Sequence, residues 1–289
     1  MDSVLVLIAA PGSGAIDART VALLRELGAE APHWLAPGEA AEVPAFPRLP
    51  EFMIDAARLP IDAALVSIHN RRKRLLIADM DSTVIRQECI DELGAAAGLG
   101  ERIAAITARA MRGDLDFAEA LRERVKLLAG LDAAIIGKIL RQRIDYMPGG
   151  RTLIATMKAH GAHTALVSGG FHQFTGPVAA HLGFDETSAN RLVIENGRLT
   201  GGVEEPILGE AAKLDALRRV VARLGLDAAD AIAVGDGAND VAMLSEAGMG
   251  VALHAKPHVQ EASLIRINHG DLTALLYLQG YAKAQFAAA

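Results

Sequence analysis

The spacing of apolar and polar positions changes character near Leu75. Before it, Val4 to Ile8 predicts a strand, Val21 to Leu27 a short helix stopped by Gly28, and Asp62 to Ile68 a second strand. Pro37, Pro44, Pro47 and Pro50 make residues 36–50 read as a loop. This alternation predicts a small α+β unit over residues 1–70. The cluster Arg71-Arg72-Lys73-Arg74 follows and reads as a solvated linker. No catalytic constellation is visible in this stretch.

From Leu75 onward, short apolar runs end in acidic, polar or glycine residues. They are Leu75 to Ala78, Thr164 to Val167, Ala231 to Val234 and Met249 to Leu253. Such runs are the mark of strands buried on both faces. Helical patterns lie between them. One opens at Pro148 and closes at Gly161, and another repeats Leu214, Leu217, Val220, Val221 and Leu224 at helical spacing. Strands alternating with helices predict an α/β fold with a Rossmann-like parallel sheet. Between about 85 and 147 only helical patterns occur, with Asp116 and Glu119 forming a capping box. An all-helical insertion after the first strand predicts a cap over the carboxyl ends of the strands, where open α/β sheets bind ligands.

The chain has 289 residues, which suits two domains: residues 1–70, and residues 71–289 with a core of 71–84 and 148–289 and a cap of about 85–147. Lys plus Arg total 29 and Asp plus Glu total 35, a net charge of −6. That balance argues against nucleic acid or an anionic membrane as partner but admits a small anionic substrate. One cysteine, Cys89, excludes an intramolecular disulfide and any multi-cysteine metal site. No base is placed beside it by the sequence, so it reads as a small buried hydrophobe rather than a nucleophile. The run Val4 to Ala10 lacks preceding basic residues and reads as a strand, not a secretory leader. No stretch reaches the roughly 18 to 20 apolar residues of a membrane span. A cytoplasmic setting is expected.

Four motifs at predicted strand ends carry chemistry. In Asp79-Met80-Asp81-Ser82-Thr83, side chains two apart on an extended segment point the same way, so two carboxylates meet at the sheet edge. They repel unless a hard divalent cation such as magnesium joins them. One could then attack phosphorus while the other moves protons. Ser168-Gly169-Gly170 offers a hydroxyl and backbone N–H groups as an anion cradle. Lys213, in a first helical turn, is on the wrong side of the helix dipole and so points to a local anion. Gly235-Asp236-Gly237-Ala238-Asn239-Asp240 adds two carboxylates and an amide on a glycine-rich loop, with Asp236 nearest the sheet. Taken singly, each also fits a blander role: a solvated acidic turn, a common Ser-Gly-Gly turn, a surface lysine.

Together and in this order, the four motifs resemble those of the haloacid dehalogenase superfamily of phosphohydrolases over about Leu75 to Leu278. Within it they are most similar to the phosphoserine phosphatase family. Further residues carry that likeness: Glu88-Cys89-Ile90-Asp91-Glu92, Phe117, Leu121-Arg122-Glu123-Arg124-Val125 and Phe171. The resemblance implies a Rossmann-like core with a helical cap, and hydrolysis of O-phosphoserine in the last step of serine biosynthesis. It implies Asp79 as nucleophile and Asp81 as general acid/base. Mg2+ would be held by Asp79, the Asp81 backbone carbonyl and Asp236. Ser168, Gly169, Lys213 and Asn239 would bind the phosphoryl group, with Asp240 in support. Glu88 and Arg124 would grip the substrate's ammonium and carboxylate, a charge match that the side chains themselves favour. Residues 1–70 loosely resemble an ACT-like domain. A homodimer is compatible with the sequence. Competing readings are transfer of the phosphoryl group to another alcohol such as homoserine, a phosphatase of another small phosphomonoester, and an amino-acid-binding regulator with a decayed site. A chain beginning near Arg71 is expected to fold and act alone.

Overall fold

A computed structural model describes residues 2–209 and 211–288. The first six elements are β1 (Ser3–Ala9), α1 (Ala18–Glu26), β2 (His33–Ala36), β3 (Ala40–Pro44), α2 (Leu49–Ala56) and β4 (Ile61–Ser67). They build an antiparallel sheet of order β2-β3-β1-β4, the ferredoxin-like arrangement. Strand β1 is apolar from Val4 onward because both its faces are covered. Leu5 and Leu7 pack with Leu24 and Phe52 of α1 and α2. Val4, Val6 and Ile8 join the large central core. Strand β3 corrects the expectation of a loop over 36–50. Its prolines lie outside the run or at its end, where Pro44 pairs with Val4 at the edge of the ladder.

The second sheet is six-stranded and parallel, ordered β12-β11-β10-β5-β6-β7. Its strands are β5 (Leu75–Ala78), β6 (His163–Phe171), β7 (Glu186–Asn190), β10 (Ala231–Gly235), β11 (Met249–Leu253) and β12 (Ile265–Ile267). Between β7 and β10 lies an antiparallel hairpin, β8 (Leu192–Glu195) and β9 (Arg198–Val203). Alternate residues of β5 serve two cores: Leu75 and Ile77 on one face, Leu76 and Ala78 on the other. Between β5 and β6 come only helices: α3 (Cys89–Ala96), α4 (Gly100–Met111), α5 (Phe117–Lys126), α6 (Ala134–Gln142) and α7 (Gly150–Ala159). The first four form the cap. The expected capping box is present, with the Glu119 amide donating to Asp116 at 2.7 Å. Helices α8 (His172–Leu182), α9 (Ala212–Leu224), α10 (Val241–Glu246), α11 (Pro257–Ala262) and α12 (Ala274–Leu278) complete the chain. Among the described residues, no helix is long and apolar enough to cross a membrane.

The basic cluster after β4 is not the solvated linker its composition suggests. Arg71 donates to Glu42 at 2.6 Å and to the carbonyls of Leu278 and Tyr277. Lys73 is buried and donates to the Ala229 carbonyl at 2.7 Å. Arg72 lies over the Tyr281 ring. Two further ties join the sheets. Glu39 accepts from Tyr277 Oη and Lys283 Nζ, and Asp62 accepts from the backbone amides of Asn268, His269 and Gly270. Val4, Val6, Ile8 and Val66 share one apolar cluster with Leu275, Tyr277 and Leu278. The N-terminal sheet is therefore riveted to the core rather than tethered to it.

Candidate active site

The chain crosses from β5 into a tight turn, where the amides of Thr83, Val84 and Ile85 all donate to the Met80 carbonyl and Ser82 takes a left-handed conformation at φ 56°. Met80 is buried below, and Asp79 and Asp81 face a cleft of about 150 Å³ between core and cap. Every motif singled out in the sequence meets here. The Asp81 carboxylate accepts from the Cys89 amide at 2.9 Å and the Ser168 hydroxyl at 3.1 Å. Ser168 Oγ in turn accepts from the Gly170 amide at 2.8 Å. The β6–β7 pairing shifts register between Val167 and Phe171, which turns this glycine loop out of the ladder. Side chains are excluded from it. A Cβ on Gly170 would stand 2.9 Å from Asp81 Oδ2, and one on Gly169 would stand 3.0 Å from the Phe117 ring.

Lys213, 2% exposed in the first turn of α9, donates to Asp79 Oδ1 at 2.7 Å and Asp240 Oδ1 at 2.6 Å. The other Asp240 oxygen accepts from the amides of Gly237 and Asp236. Position 235 must be glycine, since a Cβ there would lie 2.3 Å from Asp240 Cγ. Asp236 accepts from the Thr83 hydroxyl at 3.1 Å. Carboxylate oxygens of Asp79, Asp236 and Asp240 lie within 4.8 Å of one another, a set able to hold a metal ion. Asp240 joins that set although the sequence reading gave it a supporting part. Its oxygens are already engaged by Lys213 and two amides, so Asp79 and Asp236 have the freer ligand atoms.

The electrostatics follow from burial. The Asp79 carboxyl is pushed up by removal from water, with Asp240 and Asp81 adding to this and Lys213 opposing it. Asp81 is raised to about 6, first by removal from water and then by Glu88, against the hydrogen bonds from Cys89 and Ser168. Asp236 is likewise raised to about 6 by burial and Asp240. Burial alone would lower the Lys213 ammonium, but Asp79 and Asp240 outweigh it and the net direction is up. One ammonium among three close carboxylates leaves negative charge that a divalent cation would neutralise. The Cys89 thiol is raised by burial and by Asp81, which fits an inert side chain rather than a nucleophile.

On the cap side, Phe117, Leu121 and Arg124 recur at i, i+4 and i+7 along α5 and line the cleft together. Their neighbours point elsewhere: Arg122 pairs with Glu205 and Glu123 with Arg109. Arg124 donates to the Ala120 carbonyl at 3.2 Å and lies 3.5 Å from Thr107 Oγ1. Glu88 sits at the exposed rim, held by the Ser82 hydroxyl at 2.9 Å. Asn239 faces Gly169 across the cleft. Lys256 also lines the cleft, and its amide donates to the Asp236 carbonyl. Sequence reasoning missed Lys256 and gave Thr83, though part of the first motif, no role of its own. A larger cleft of about 600 Å³ opens beside β4 and β12 and shares no lining residue with this one; of its cations, Arg71 is paired with Glu42 and Lys73 donates to the Ala229 carbonyl.

Residues 76–245 match the haloacid dehalogenase-like hydrolase family. A curated relative named phosphoserine phosphatase from Streptomyces coelicolor is 45% identical over 237 residues, which cover 81% of this chain and 58% of the relative. The chain spans 53–65% of the length of this relative and two others like it. Among solved structures, a HAD-family hydrolase from Salmonella enterica serovar Typhi superposes with a TM-score of 0.84 at 30% identity, covering 96% of this chain and 98% of that one. A phospho-aspartyl intermediate analogue of phosphoserine phosphatase superposes with a TM-score of 0.66 at 39% identity, covering 71% of this chain and 98% of that one. With the parallel sheet, the inserted cap and the acids at the ends of β5 and β10 already in place, this likeness completes the assignment: the chain belongs to the haloacid dehalogenase-like hydrolase family.

Proposed function

We propose that the chain is a magnesium-dependent phosphomonoesterase that hydrolyses O-phosphoserine through a phospho-aspartate on Asp79. The observation that carries this reading is the cleft itself. Asp79 and Asp81 face the Ser168–Gly170 loop and Lys213 on the core side, and Glu88 and Arg124 on the cap side. Asp79 and Asp236 would hold Mg2+, which supplies charge neutralisation between the nucleophile and the phosphoryl oxygens when bound. Asp240 positions Lys213. The Asp81 backbone carbonyl would add a further ligand, with water filling the remaining positions.

The first step joins an Asp79 carboxylate oxygen to phosphorus and breaks the bond from phosphorus to the serine oxygen. Asp81 gives its proton to that oxygen, and serine leaves. In the second step water attacks the acyl phosphate, Asp81 takes the water's proton, and phosphate departs with Asp79 restored. A carboxyl held near 6 can serve in both directions close to neutral pH. The Ser168 hydroxyl, the Gly169 amide, Lys213 and Asn239 cradle the phosphoryl oxygens. Among the described residues, no carboxylate forms an ion pair with Arg124, so its guanidinium fork is open to the substrate carboxylate. Burial lowers the Arg124 guanidinium, with the nearby carboxylates of Asp91 and then Glu88 opposing this, and Glu88 at the rim suits the substrate ammonium.

The test is release of serine and inorganic phosphate from phosphoserine with Mg2+, against excess chelator, and again with homoserine added. Serine and phosphate in equal amounts, abolished by chelator, support the reading. Full activity in chelator overturns the metal assignment, and phosphohomoserine in place of free phosphate makes the chain a phosphotransferase.

A further inference from the structure

Asn190 lies at the end of β7 and is 3% exposed, a buried amide in a strand otherwise only partly covered. Its side-chain amide bridges the Gly169 loop and the segment before α9. Its Nδ2 donates to the Gly169 carbonyl at 2.9 Å and to the Leu208 carbonyl at 3.2 Å. Its Oδ1 accepts from the Leu208 amide at 2.7 Å. Gly169 is the centre of the loop that faces the phosphoryl position, and Leu208 belongs to the segment that leads into α9 and Lys213. A second amide braces the same region: Gln173 Nε2 donates to the Leu192 carbonyl at 2.8 Å, and its Oε1 accepts from the Leu192 amide.

These bonds also set the width of a slot. The Phe117 ring from the cap sits between Gly169, where a Cβ would approach to 3.0 Å, and Gly209, where one would stand at 3.8 Å. Asn190 ties the two walls together from below. A carbonyl held by a buried donor cannot rotate away, so the Gly169–Gly170 peptide plane is fixed, and with it the Gly170 amide that holds Ser168 Oγ at 2.8 Å.

We propose that Asn190 is a positioning residue. It fixes the phosphate loop at Gly169 against the segment leading to Lys213, and so presets both the oxyanion cradle and the docking slot for Phe117. This rests on reading residues 168–170 as the phosphate-binding loop. Asn190→Asp is nearly isosteric and keeps the acceptor for the Leu208 amide, but it replaces both donated bonds by repulsion between oxygens. Asn190→Ala removes all three bonds without adding charge.

The experiment uses the full chain and three readouts: competitive inhibition by inorganic phosphate with phosphoserine as substrate, Mn2+ affinity from free-ion resonance, and thermal unfolding. For Asn190→Asp, the inhibition constant for phosphate and the KM should rise at least about tenfold, as expected when a positioning hydrogen bond is lost. Mn2+ affinity should stay within about twofold, because Asp79 and Asp236 do not touch Asn190. Asn190→Ala should lose less, and amide exchange at Leu208 should accelerate in it. Unchanged phosphate inhibition in both variants overturns the inference. So does a parallel loss of phosphate and Mn2+ affinity with a lowered melting point, which would mark a general fold role. A wild-type protein that phosphate does not inhibit overturns instead the underlying reading of the loop, and this inference with it.

Discussion

Replacing Arg124 by alanine probes substrate choice without touching the acids that carry the chemistry. Arg124 shares the cleft-lining face of α5 with Phe117 and Leu121, and its own chain occupies little of its fork. Of five N–H donors, the Ala120 carbonyl takes one and Thr107 at most another, at 3.5 Å. The remainder matches a carboxylate in two-pronged fashion. Losing that charged hydrogen bond should cost roughly 1.5–3 kcal/mol, about ten- to 150-fold in kcat/KM for phosphoserine. Arg124→Lys should recover only part, because an ammonium cannot make the forked contact. The assay is kcat/KM for phosphoserine, phosphoethanolamine and p-nitrophenyl phosphate on wild type, Arg124→Ala and Glu88→Gln. Phosphoethanolamine lacks the carboxylate, so it should suffer little from Arg124→Ala but should still suffer from Glu88→Gln. p-Nitrophenyl phosphate engages neither group and should be handled almost as by wild type. Equal losses on all three substrates would mean that these residues support the cap rather than recognise the substrate.

Two further outcomes follow from the buried charges and the riveted sheets. The folded-state carboxyl of Asp236 lies at about 6, above its value of about 4 in an unfolded chain, so its contribution to stability is present below 4 and lost as pH rises through 6, by about 3 kcal/mol; Mg2+ should therefore raise the melting point more at pH 8 than at pH 5, and an equal rise at both would contradict the metal assignment. Deleting residues 1–70 uncovers the Tyr277–Leu278 face and unpairs Arg71 from Glu42, which should lower stability by at least about 3 kcal/mol, roughly 10 °C in melting point; an undiminished melting point for residues 71–289 would contradict this.

The strand ends that gather the candidate residues were more legible in the sequence than the edges of the fold, for a physical reason. Asp79, Ser168 and Asp236 follow strands buried on both faces, and such strands write themselves as unbroken apolar runs with an abrupt end. Edge and short strands leave no such record. Strand β7 reads Glu-Thr-Ser-Ala-Asn and is only partly covered, and β12 has three residues. The β8–β9 hairpin escapes periodicity too, although its Asn196-Gly197 turn, with φ of 51° and 74°, is a strong local hairpin signal. Partners distant in sequence were invisible as well. Arg71 reads as a solvated charge until Glu42 and the carbonyls of Tyr277 and Leu278 are brought to it. Arg124 stands among Arg122 and Glu123 in the sequence, and only the turn of α5 sorts the cleft-facing residue from its paired neighbours.

The central claim is a covalent intermediate on Asp79, and the most direct measurement follows the phosphoryl group onto the protein. Radiolabelled phosphoserine is mixed with the Mg2+-loaded protein, quenched in acid within the turnover time, and the labelled peptide mapped. A base-labile acyl phosphate is expected on the peptide that contains Asp79. In Asp79→Asn no label is expected and turnover should fall at least about 10³-fold, since among the described residues lining the cleft Asp81 is committed to proton transfer, Asp236 to the metal, and the Cys89 thiol is held protonated by burial. Label on another residue, or near-normal turnover in Asp79→Asn, would contradict it.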